Sequence, residues 1–261
     1  MNKTLNAKLK TIHWKDLTVL NSKEKFIENT VNLPWLFASL LFAWYELYLL
    51  ALPCSFMFFL TSLRQSHNGY HYTLGTSKEM TTITLFINSV LMIASMHAVK
   101  FNHLRHHKYC LGENDVEGQC AKMPAWKAIL LGPVFIFEIH FTALKMGKRE
   151  SKLRIIFELL LIIIFIGFAF YYDLRFLEYH IIVMIGGEFL SGFFAVWTVH
   201  HDCDEELFSR TSRGRWSNFF TYNMFYHTEH HLFPAVPTIK LPDLAHRLDE
   251  VIPEYKTKTV F

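Results

Sequence analysis

Charged residues are scarce in this 261-residue chain, at 19%, and cysteine, proline and glycine are few, at 4, 8 and 11. So little charge beside 51% hydrophobic residues excludes a disordered chain, which needs the opposite balance. Charge of a single sign is also missing. The 26 Lys and Arg face 23 Asp and Glu, and a net +3 leaves no footprint for a nucleic acid. Cys54, Cys110, Cys120 and Cys203 form no CxxC pair and lie far apart, so neither a zinc ribbon nor a disulfide scaffold is expected, and free thiols in a reducing compartment fit better. No GxSxG, P-loop or GxGxxG occurs, which argues against a serine nucleophile and against ATP or nicotinamide held within the chain. The first 33 residues are polar, with lysines from Lys3 to Lys25, and lack the early apolar core of a secretory signal. No internal repeat, low-complexity tract or flexible linker is visible.

What the chain has instead is 25 Phe and long apolar runs, the composition of a protein that meets lipid. Residues 34–63 are apolar almost throughout. They read as a tight hairpin, with Pro53 in the first turn of its second helix, or as one long tilted helix. Residues 83–99 contain Asn88, Ser89, Ser95 and His97; residues 126–144 contain Gly132, Pro133, Glu138 and His140. These interruptions suit interfacial or buried helices rather than full spans. Residues 155–172 and 177–199 read as two membrane spans. Lys145, Lys148, Arg149, Lys152 and Arg154 precede the first, which places 145–154 in the cytoplasm by the positive-inside rule and returns the chain there near His200. The expected architecture is one all-α, multi-pass integral-membrane domain over 1–261 with about four transmembrane helices. Residues 1–33 and 200–261 form its cytoplasmic parts, 34–199 its membrane region, and a helical cap carries a His-rich two-metal site.

That site is read from the 15 histidines, which are not scattered. His67 and His71 form HxxxH. His103, His106 and His107 form HxxHH, and His227, His230 and His231 form it again. Positions i, i+3 and i+4 of a helix share one face, so each box is expected to aim its imidazoles at one point. Neutral imidazole binds Fe, Zn, Cu and Ni, and eight such ligands exceed what one ion holds. Two metals are therefore expected. His13, His140, His180 and His246 read as hydrogen-bonded interfacial groups, and His97 lies off the face of the second box. Asp115, Glu117, Asp202, Asp204 and Glu229 read as solvated loop acids, with partnership to a ligand ring as the alternative. Arg210, Arg213 and Arg215 form a basic patch for lipid headgroups or an acidic redox partner. Glu188, inside the last span, reads as a bundle-facing group in a substrate tunnel or against another helix.

The three boxes in this order, with the run from Asn223 through His227-Thr-Glu-His-His-Leu-Phe-Pro-Ala-Val-Pro237, resemble the integral-membrane fatty acid desaturase superfamily. That group also includes carotenoid ketolases and hydroxylases and alkane hydroxylases. The resemblance covers about residues 34–250. It implies two Fe ions, O₂ as oxidant, a membrane lipid substrate and an external electron donor of ferredoxin, rubredoxin or cytochrome b5 type. It also implies a ninth histidine before the third box. His200 and His201 are both candidates, and the surrounding sequence is similar to a bacterial branch that favours His201. The implied ligands are thus His67, His71, His103, His106, His107, His201, His227, His230 and His231, and Asn223 is a candidate for contact with a metal through water. A fatty acyl desaturase is the leading reading. Hydroxylation or ketolation of a lipid, carotenoid or hydrocarbon is the alternative, and a metal transporter or sensor a remote one, since the boxes flank the spans instead of lining them.

Overall fold

A capping box starts the first long helix, α1 (Ser22–Thr30): Asn21 accepts the Glu24 N–H, and Glu24 accepts the Asn21 N–H. The structure is a computed structural model describing residues 7–204, 207–253 and 257–260, so Lys3 lies outside the described residues. The apolar stretch after α1 folds as the expected hairpin, α2 (Leu33–Trp44) and α3 (Tyr48–Tyr70). Pro53 does not open α3. The chain reverses at Glu46, which takes φ +58°, so α3 begins five residues before the proline.

Residues 83–99 divide between α4 (Lys78–Met92) and α5 (Met96–Tyr109), which meet at a 110° bend. Ile93 ends α4 in the left-handed region, at φ +61°. The polar residues that interrupt this stretch have internal partners: Asn88 donates to Gln65 and Ser66 of α3 at 3.0 and 2.9 Å. Residues 126–144 form α6 (Ala125–Leu130) and α7 (Gly132–Met146). Gly132 permits a close approach here, since a Cβ would lie 1.5 Å from the Phe189 carbonyl oxygen.

Among the described residues two helices are long and apolar enough to cross a membrane, α8 (Arg149–Tyr171) and α9 (Arg175–His200), and a third span is counted if bent α4–α5 is one. The expectation was about four; α2, with 12 residues, is too short to cross by itself. The outer face of α8 is a lipid-like surface, with Ile156, Leu160, Ile163, Ile164 and Phe168 all exposed. α9 contains a π-helical turn, Gly192–Trp197, just before its last residues. Three short helices follow: α10 (Arg215–Phe220), α11 (His227–Leu232) and α12 (Leu241–Val251). The sole strand pairing among the described residues is parallel and two residues long, Arg210–Thr211 with Lys258–Thr259. α12 buries Leu241, Leu244, Ala245 and Leu248 against Tyr226, Phe233 and Val236, fixing the loops around α11. All four cysteines are free.

Candidate metal centre

The end of α3, the second half of α5, the end of α9 and all of α11 converge in one region of the fold. His67, His71, His103, His107 and His230 form one group whose ligand nitrogens all lie within 4.8 Å of one another; His106, His200, His227 and His231 form a second. The boxes do not each serve one point, as the sequence led us to expect. On α5, His103 and His107 join the first group and His106 the second; on α11, His227 and His231 join the second and His230 the first. Residues four apart differ by about 40° around a helix, whereas the residue between them in each box points about 60–100° away. Each HxxHH box therefore braces both groups.

The histidine that completes the second group is His200, whereas the resemblance favoured His201. His200 Nε2 lies 3.0 Å from His106 Nε2 and 2.8 Å from His227 Nε2. His201 turns away. Its ring stacks on Trp197 at 4.0 Å and 4°, and its Nδ1 donates to the Trp197 carbonyl at 2.9 Å. A π-helical turn, Gly192–Trp197, precedes this pair, and by adding one residue it rotates everything after it by about 100° relative to a regular continuation. Asn223 sits at φ +66°, in the turn leading into α11, a conformation that asparagine tolerates well.

The ring tautomers test whether a metal fits. His200 Nδ1 donates to the Phe208 carbonyl at 2.8 Å, and His106 Nδ1 to Asp115 at 2.7 Å. A neutral imidazole has one N–H, so both Nε2 atoms carry lone pairs, and they face each other at 3.0 Å. In the first group His103 Nδ1 meets Glu117 at 3.0 Å, while its Nε2 lies 3.0 Å from His71 Nε2 and 3.1 Å from His107 Nε2. His67 Nε2 is buried without a partner. Converging lone pairs repel unless a cation lies among them. Bonds of about 2.1 Å at right angles separate ligand nitrogens by about 3.0 Å, which matches these spacings. The residues fit a pair of metal ions.

Three acids expected in solvent are buried instead. Asp115 holds His106, and it also accepts the Leu111 and Gly118 N–H groups at 2.8 and 2.9 Å. Burial pushes its carboxyl up, but the His106 hydrogen bond and these amides bring it below the usual range. Glu117 is pushed up to about 7, chiefly by burial, and its Oε2 has no partner. The Glu229 carboxylate accepts from Arg213 at 2.8 Å and from the Thr211 hydroxyl at 2.6 Å, which anchors α11. Asp202 is exposed and pairs with Arg210. Burial first, and then the neighbouring imidazoles, hold His227, His230 and His231 well below the usual histidine range, in the neutral form that can bind metal.

The remaining candidates lie outside the two groups. His13 pairs with Asp16 and His246 with Glu250 at the surface. His180 is buried, not interfacial, and bonds the Leu91 carbonyl at 2.8 Å. The arginine patch is largely engaged internally: Arg210 donates to the His201 and Thr259 carbonyls, and Arg213 pairs with Glu229 and Asp249. Glu188 is buried with Oε1 unpartnered. A cavity of about 90 Å³ lies against both groups, lined by His67, His103, His227, His230 and Glu117 and by Leu63, Val99, Phe194, Val199 and Leu241.

Removal of an acid that holds a ring gives a first test. Asp115→Ala is expected to weaken metal binding about 10–100-fold, the usual effect of losing the partner that orients a ligating histidine. Metal titration of stripped protein checks this, and an unchanged affinity would show that the backbone alone sets the His106 ring. A family model for fatty acid desaturase matches residues 42–260. No curated protein matches the chain.

Proposed function

The chain belongs to the fatty acid desaturase family, and we propose that it is a membrane-bound, O₂-dependent oxidoreductase that holds two iron ions and desaturates an acyl lipid. The observation that carries this reading is the convergence of nine imidazoles on two points beside an apolar cavity. His67, His71, His103, His107 and His230 would hold one ion and His106, His200, His227 and His231 the other. Iron with O₂ would supply the oxidising power that side-chain acid–base chemistry lacks for an unactivated C–H bond. The protein supplies position. Asp115 and Glu117 fix ring orientation from the segment after α5, and Leu63, Val99, Phe194, Val199 and Leu241 offer an apolar wall that would orient an acyl chain and exclude water.

The same reading places the protein as a multi-pass chain, with the centre on the cytoplasmic side, from the basic run 145–154 ahead of α8. Electrons would come from an external ferredoxin, rubredoxin or cytochrome b5 type donor. Mass-spectrometric profiling of lipids and pigments, in cells expressing the chain or its His200→Ala variant, tests the function. A new double bond in acyl chains, absent with the variant, is expected. A new hydroxyl or ketone would move the reaction to the hydroxylase or ketolase alternative. Unchanged lipids and pigments despite iron-loaded protein and a working donor would overturn the proposal.

A further inference from the structure

The bend between α4 and α5 lies away from the metal centre, packed against α7 and α8. The first N–H groups of any helix lack partners within it. In apolar surroundings no water takes their place. At this bend side chains from three helices and the Ser95 cap do so. The Ser95 N–H donates to His140 Nε2 at 3.0 Å, Met96 N–H to Ser89 Oγ at 2.9 Å, His97 N–H to Glu158 Oε2 at 3.2 Å, and Ala98 N–H to Ser95 Oγ at 3.1 Å. His140 Nδ1 donates to the Ile136 carbonyl at 2.8 Å, which leaves its Nε2 as the acceptor.

Glu158 is the centre of this arrangement. It is fully buried on α8, one of the two helices able to span a membrane, where an ionisable group is costly. Besides the His97 N–H it accepts the Ser95 hydroxyl, and its Oε1 lies 2.5 Å from His97 Nδ1. Its carboxyl also faces the positive end of the α5 dipole. The metal-centre groups do not account for it: none of these contacts involves a box histidine.

We propose that Glu158 is a positioning residue for the metal centre. Through Ser95 and His97 it fixes the start of α5 and so the direction in which α5 delivers His103, His106 and His107. The leverage is geometric. Six residues separate His97 from His103, about 9 Å of helix axis, and ten separate it from His107, about 15 Å. A tilt of 10° at the bend thus moves these positions by about 1.5–2.5 Å, far beyond the roughly 0.5 Å tolerance of a working site. Farther along, Asn102 ties α5 to the Ile139 carbonyl of α7 at 2.8 Å, and Asp115 and Glu117 hold His106 and His103. Glu158 supplies the fixed point at the other end.

This inference rests on the two-metal reading, and Co²⁺ binding to purified full-length protein in detergent separates their failures. Titration gives the stoichiometry and affinity, and the visible absorption of bound Co²⁺ reports ligand geometry. Wild type is expected to take up two Co²⁺. Glu158→Ala should lose at least tenfold in Co²⁺ affinity with an altered spectrum, and Glu158→Gln, whose amide oxygen still accepts from Ser95 and the His97 N–H, should recover most of both. Ser95→Ala, which keeps the carboxylate and removes both its hydroxyl donor and the acceptor of the Ala98 N–H, should shift the spectrum in the same direction even if Glu158→Ala does not fold. Wild type that takes up no Co²⁺ overturns the metal-centre reading and this inference with it. Wild type that binds two, with the Glu158 and Ser95 variants matching its affinity and spectrum, overturns this inference alone.

Discussion

Replacing His200 with alanine is expected to abolish turnover and empty the second metal position, while replacing His201 leaves both metals in place. His200 is 1% exposed, and its Nε2 stands within 3.0 Å of two other imidazole nitrogens, so nothing nearby can substitute for it. The His200→Ala loss should exceed the roughly 10–100-fold effect of losing an orienting partner, because a ligand itself is gone. His201→Ala forfeits a stacked contact with Trp197, worth about 0.5–1.5 kcal/mol, and one hydrogen bond to a carbonyl. Its signature is therefore a modest fall in thermal stability at unchanged metal content. Metal analysis and turnover of the two variants side by side check this. Full activity in His200→Ala, with loss in His201→Ala, would reverse the assignment.

The second large effect is expected at a buried ion pair that carries no metal. Arg64 on α3 holds Glu28 of α1 through two hydrogen bonds of 2.7 and 2.6 Å, and both side chains are essentially inaccessible. Asn68 donates to the same carboxylate at 2.6 Å and accepts the Thr238 N–H and hydroxyl; Arg64 also reaches the Tyr222 carbonyl. One network thus joins α1, the first histidine box and the segments on either side of the third. Arg64→Ala strands a buried carboxylate and should cost about 3–5 kcal/mol. Because His67 lies between Arg64 and Asn68, metal content should fall as well. Changing both partners, as in Glu28→Gln with Arg64→Met, should recover part of the stability. Thermal unfolding in detergent measures it, and a loss below about 1 kcal/mol in Arg64→Ala would show that water reaches the pair.

The histidine boxes were legible because they depend on local order: helix periodicity places i, i+3 and i+4 together whatever the rest of the chain does. The division of each box between two groups was not, since it depends on where neighbouring helices lie. His200 and His201 were both candidates, and the preference for His201 came from the resemblance of the surrounding sequence; only the packing of α9 against α5 and α11 shows which ring enters the second group. Asp115 and Glu117 are 9 and 14 residues from the rings they hold, across a loop whose path local spacing does not set. Glu158 was submerged in an apolar run, and its partners come from 61 and 63 residues away. The two apolar spans were located within a few residues, but the 83–99 stretch breaks at a 110° bend, and Pro53 misplaced a helix start because the reversal at Glu46 rests on a single left-handed residue.

Elemental analysis of active protein, purified after expression with iron available, is the most direct test of the central claim. Two iron ions per chain are expected, from two converging groups of five and four histidines. Active protein that holds one metal ion or none would contradict it.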